Sequence, residues 1–100
     1  MTITSKKEGN SIIINTPVNL DFSCHNDFKD TYIDSDVSDT IYVIDMSSTS
    51  YIDSSGLGIL LILRNYAGDD ASKVIIRGAD EKVKDILLTS KFDHFFTIED

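Results

Sequence analysis

The chain has 100 residues, 41% of them hydrophobic, enough for one small domain with a modest core. Seventeen acidic residues against nine scattered basic ones give a net charge of −8, which argues against a nucleic-acid surface, since that needs clustered Lys and Arg. A lone Cys24 excludes an intramolecular disulfide and a Cys-pair metal site. Met1–Lys7 lacks the apolar core of a signal peptide and no apolar run is long enough to cross a membrane, so a reduced, cytoplasmic location is expected.

In chain order, Thr2–Lys7 and Ser11–Asn15 read as two strands around the turn Glu8-Gly9-Asn10. After Pro17 and Asn19, a helix is predicted from Asp21, its N-cap, to about Ser35, with Phe22, Phe28, Tyr32 and Ile33 recurring at helical spacing. Ser35–Asp39 is a loop into a strong strand, Ile41–Asp45. The turn Ser47–Ser50 then leads to Asp53-Ser54-Ser55-Gly56-Leu57-Gly58, which opens a helix running to about Ala67 with Gly68 as its C-cap. Val74–Ile76 is a short buried strand ended by Gly78. Asp80 caps a third helix with Val83, Ile86, Leu87 and Ser90 turned inward, and Phe95–Ile98 forms a last strand before an acidic tail. The order β-β-α-β-α-β-α-β predicts an α/β fold: a mostly parallel sheet with an antiparallel first strand and helices packed on it.

The second helix carries the chemistry. A serine at its N-terminus stands where free backbone N–H groups and the helix dipole favour negative charge, so an added phosphate is tolerated electrostatically. Taken alone, the same residues also describe an ordinary capped helix, since Asp and Ser are preferred caps and Gly permits a tight turn. Leu57 and Ile59–Leu63 cover nearly every azimuth of this helix, while packing on a sheet buries only one stripe. Ser54, Gly58, Leu61 and Asn65 share one side. Either that side is a protein-docking surface, or the helix is covered on both sides by a loop or a second copy.

Tyr51-Ile52-Asp53-Ser54-Ser55-Gly56-Leu57-Gly58 resembles the signature of bacterial STAS domains, the anti-sigma factor antagonists. The resemblance spans most of residues 1–100, read as a single STAS domain. Asn19-Leu20-Asp21 stands where the family has Leu-Asp before its first helix, and Val83–Leu87 ahead of Phe92 resembles the third-helix pattern. The chain departs from the family where a Gly is usual: at Val18 or Asn19, and after the third helix at Lys91. It also stops soon after its last strand, without the final helix of longer relatives.

The resemblance implies a partner-switching regulator that is not an enzyme. Unphosphorylated, such a protein binds an anti-sigma factor that is a serine kinase. The kinase phosphorylates the serine after the motif Asp, here Ser54, and a PP2C-type phosphatase restores it. Asp53 and Gly56 are expected to shape the phosphosite loop, Ser55 to cap the helix through its hydroxyl, and Asp21 to help present the serine. Gly58, Leu61 and Asn65 are the expected partner contacts. No cofactor is expected, ATP and Mg²⁺ belonging to the kinase, and the protein is expected to be a monomer or weak dimer.

Other chemistries find less support. His25 and His94 have no triad or metal-ligand spacing to another candidate. No glycine-rich nucleotide motif occurs. Asp45 ends a strand as a receiver-domain phosphoacceptor does, but no acidic pair follows the first strands to hold Mg²⁺, so Asp45 is read as organising the loop ahead of the serine. The alternatives kept open are a STAS scaffold or sensor that switches partners without phosphorylation, and a small enzyme using Ser54 as nucleophile.

Overall fold

The computed structural model describes residues 3–99. Strand β1 (Thr4–Glu8) turns at Gly9, whose φ of +60° suits a residue without a Cβ, and pairs antiparallel with β2 (Ser11–Asn15). Thr2, at the start of the expected first strand, lies outside the described residues. Strands β4 (Ile41–Asp45), β6 (Val74–Arg77) and β7 (Thr97–Ile98) add in parallel to give the order β1-β2-β4-β6-β7. A separate two-stranded parallel pair joins β3 (Asn19–Leu20) to β5 (Tyr51–Ile52).

Side chains alternate across each strand, so one face of the sheet carries Ile12, Ile14, Tyr42, Ile44, Val74 and Ile76. That face packs against helices α1 (His25–Asp30), α2 (Ser54–Tyr66) and α3 (Glu81–Thr89), which contribute Phe28, Ile59, Leu60, Leu63, Val83 and Leu87. On the other face, register aligns Lys6, Ile13, Val43, Ile75 and Thr97 in one row across the sheet. The predicted α/β architecture, its antiparallel first strand and its parallel remainder are borne out.

Two elements are shorter than expected. The predicted helix Asp21–Ser35 is a 3-10 turn (Phe22–Cys24), then the six residues of α1, then further turns. Asp21 draws the chain into the tight turn by accepting from the Ser23 amide. At the far end, the Thr31 and Ser35 hydroxyls bond the Phe28 and Tyr32 carbonyl oxygens, competing with regular helix bonding. Phe28 and Tyr32 are buried as expected, but Phe22 is 71% exposed and Ile33 also lies at the surface.

The last strand is only Thr97–Ile98. Phe96 instead closes a 3-10 turn (Phe92–His94) by bonding back to the Phe92 carbonyl and stacking on its ring, with centroids 5.0 Å apart. Asp80 caps α3 through the Val83 amide at 2.8 Å, as expected. The C-cap of α2 is Ala67 rather than the expected Gly68, which follows it with a φ of +92°.

Candidate functional site

The site is assembled where β3 and β5 run side by side. Leu20 pairs with Ile52, so Asp21 and Asp53, the next residue in each segment, leave the pair at the same level. Both aspartates have extended backbones, and each caps the helical turn that begins at the next residue. Asp53 accepts from the Gly56 amide at 2.9 Å and starts α2, making Ser54 its first helical residue. The cap is therefore Asp53 and not Ser55, because the extended backbone that lets a side chain reach forward occurs one position before the helix begins. Ser54 and Ser55 are both exposed. Asp21, placed one residue short of the level of Ser54, also bonds the Ser23 hydroxyl at 2.5 Å, which holds its carboxylate in place.

Gly56 is a packing requirement. A Cβ there would overlap the Leu20 carbonyl oxygen and lie 2.8 Å from Ile52 Cγ1, so only glycine lets α2 start this close to the β3–β5 pair. Gly58 faces open space, where an added Cβ would meet nothing within 4 Å. Along α2, Gly56, Ile59, Leu60 and Leu63 are buried, while Ser54, Leu61 and Asn65 lie outside. Leu61 is 39% exposed and Ile62, passed over in the sequence, is 47% exposed. Ile62 lies about 80° from Ser54 around the helix, still on the open half, a position that helical periodicity could have flagged.

The approach to β5 is pinned at both ends. Asp45 accepts from the Ser47 amide at 2.9 Å and from its hydroxyl, and pairs with Arg77 at 3.4 Å. These contacts, led by the Ser47 hydroxyl, hold the Asp45 carboxyl below its ordinary pKa. Thr49 is buried, bonding the Pro17 carbonyl oxygen at 2.7 Å and the Thr16 hydroxyl at 2.5 Å. Asp45 thus has the organising role read from the sequence.

Other chemistry lies elsewhere. His25 stacks on Phe22, and His94 lies 4.0 Å from Asp93. Among the described residues, no group of three or more His, Cys, Asp or Glu side chains is placed to hold a metal ion. A cleft of about 650 Å³, lined by residues including Lys7, Asn10, Asp34 and Asp39, opens at the hairpin end of the sheet, away from Ser54. No helix among the described residues is long and apolar enough to cross a membrane.

A family model described as the STAS domain matches residues 2–100. A STAS-domain containing protein of Pseudomonas aeruginosa is 33% identical over 98 residues, covering 98% of this chain and 97% of its own length. An anti-sigma factor antagonist from Mycobacterium paratuberculosis superposes with a TM-score of 0.80 at 16% identity, over 97% of this chain and 83% of that one. The Bacillus cell fate determinant SpoIIAA in its phosphorylated form does so with a TM-score of 0.71 at 14% identity, over 99% of this chain and 92% of that one.

Proposed function

The chain belongs to the STAS domain family, and from that premise we propose that it is an anti-sigma factor antagonist working by partner switching. In this reading the unphosphorylated protein binds an anti-sigma factor that is a serine kinase. Phosphorylation of Ser54 releases it, and a PP2C-type phosphatase resets it. The protein is substrate and ligand, not enzyme, and acts in the cytoplasm as a monomer or weak dimer. The observation that carries the reading is an exposed serine at the N-terminus of α2, beside a helix face that leaves Gly58, Leu61 and Asn65 uncovered.

The physical case has two halves. Ser54 sits at the positive end of the helix dipole, so a phosphate there is accommodated by the free protein. It adds a charge of about −1.5 to −2 next to Asp53, and a partner closing over it would have to strip its water. One substituent is then nearly neutral for the fold and costly for the complex. One solved protein that shares this fold, the Bacillus cell fate determinant SpoIIAA, has a phosphorylated form.

The test is to recover the kinase bound by the unphosphorylated protein, purify it, add ATP and map the phosphate by mass spectrometry. Phosphate on Ser54, lost in Ser54→Ala, is expected. Ser55 is the competing acceptor to watch, because Thr49 is buried and doubly hydrogen-bonded. Phosphate on Ser55 overturns the site assignment. A bound partner that transfers no phosphate favours the scaffold reading instead. Labelling of Ser54 by a fluorophosphonate would instead favour an enzyme.

A further inference from the structure

From Ser54 to Asn65, α2 rises about 16 Å and is about 10 Å across, a strip of roughly 160 Å². Specific interfaces cover roughly 800 Å² on each partner, so a partner seated on α2 must reach well beyond it.

The exposed apolar side chains show in which direction. Val18, Phe22 and Tyr51 are 55%, 71% and 47% exposed, and all belong to the segments that deliver Asp21 and Asp53. The Val18 carbonyl accepts from the amides of Ser50 and Tyr51, at 2.9 and 3.1 Å, which ties these neighbours together. Phe22 opens the turn after Asp21, and that turn packs against α2. On the other flank of α2, Phe95 is already engaged: the Arg64 guanidinium lies 5.1 Å over its ring, and Arg64 Nε donates to its carbonyl at 2.8 Å. The Phe22 ring instead stacks on His25, 5.7 Å between centroids and 7° from parallel, which holds it in one orientation while leaving it open to solvent.

We propose that Val18, Phe22 and Tyr51 form a second arm of the docking surface, with Phe22 as its anchor, for the same kinase that covers α2. This rests on the docking reading above. The matching feature on the kinase is an apolar pocket for the phenyl ring with a basic rim facing Asp21 and Asp53. Ser54 then lies between the two arms, inside the contact rather than at its edge. There water is excluded around the anchors, and a new charge goes unscreened.

The experiment titrates the purified kinase against the wild type, Phe22→Ala, Tyr51→Ser and Leu61→Glu, each first checked by thermal unfolding. Phe22→Ala is expected to keep its melting temperature and lose affinity by about tenfold or more, with a smaller loss for Tyr51→Ser. Ser54→Asp should also cost less in the Phe22→Ala background than in the wild type, because a loosened arm admits water. If Phe22→Ala and Tyr51→Ser bind as the wild type while Leu61→Glu binds weakly, the second arm is overturned and docking on α2 stands. If all three bind as the wild type, the docking reading falls with it.

Discussion

A Cβ on Gly56 would overlap the Leu20 carbonyl oxygen, whereas one on Gly58 would meet nothing within 4 Å. Gly56→Ala should therefore destabilise the fold by about 1–3 kcal/mol, the usual range for overpacking, read as a lower urea midpoint. Gly58→Ala should stabilise it by about 0.5–1 kcal/mol and raise that midpoint, because a helical glycine with open space beside it costs backbone entropy and relieves no clash. Any loss of kinase affinity in Gly58→Ala would then report the partner's close approach. Lys91 offers a third case. It follows α3 with a φ of 62°, the left-handed conformation that glycine adopts at lowest cost. Lys91→Gly should gain about 1 kcal/mol. The cap was expected at Ser55, with Asp53 only shaping the loop; Asp and Ser prefer the capping position equally, so only the backbone shows that the helix starts after Asp53.

The loop between β4 and β5 is held by side chains, Asp45 on Ser47 and Thr49 on the Pro17 carbonyl, as well as by backbone bonds such as Met46 N–H to the Arg77 carbonyl. Folding lowers the pKa of Asp45, first through the Ser47 hydroxyl and with Arg77 contributing, so ionised Asp45 stabilises the native state above the ordinary carboxylate value. That contribution is lost as pH falls through the lowered native value. Urea midpoints measured from neutral pH downward should drop on acidification, and Asp45→Asn should flatten part of that drop. Asp36 and Asp70, lowered in the same way by Ser38 and Ser72, leave a residual slope. Long elements were readable because their apolar periods are explicit, as in β4 and α2. β3 and β5 were not: with two residues each they are too short for any period, and they exist because each supplies the other's hydrogen bonds. β7 was read as a strand, but two residues too long.

For the molecule as a whole, the switch is expected to act on binding and barely on folding. The helix dipole favours a charge at Ser54 by about 0.3–1 kcal/mol, and repulsion from Asp53, with a weaker salt-screened term from the net charge of −8, opposes it. Ser54→Asp should shift the melting temperature by no more than a few degrees while weakening the kinase complex at least tenfold. A large melting shift with unchanged affinity would contradict this. The overall α/β plan was legible because strands and helices alternate along the chain. The approach of Asp21 to the serine loop was expected only through the family resemblance, since no local pattern announces a two-residue parallel pair between distant segments. That pair has a consequence for signalling. The surface around Ser54 is discontinuous and exists only once residues 18–24 have docked beside residues 51–58. A synthetic peptide carrying Tyr51–Gly58 alone should therefore be a poor kinase substrate. The reaction would then count only correctly folded copies of the protein, leaving misfolded or nascent chains unread.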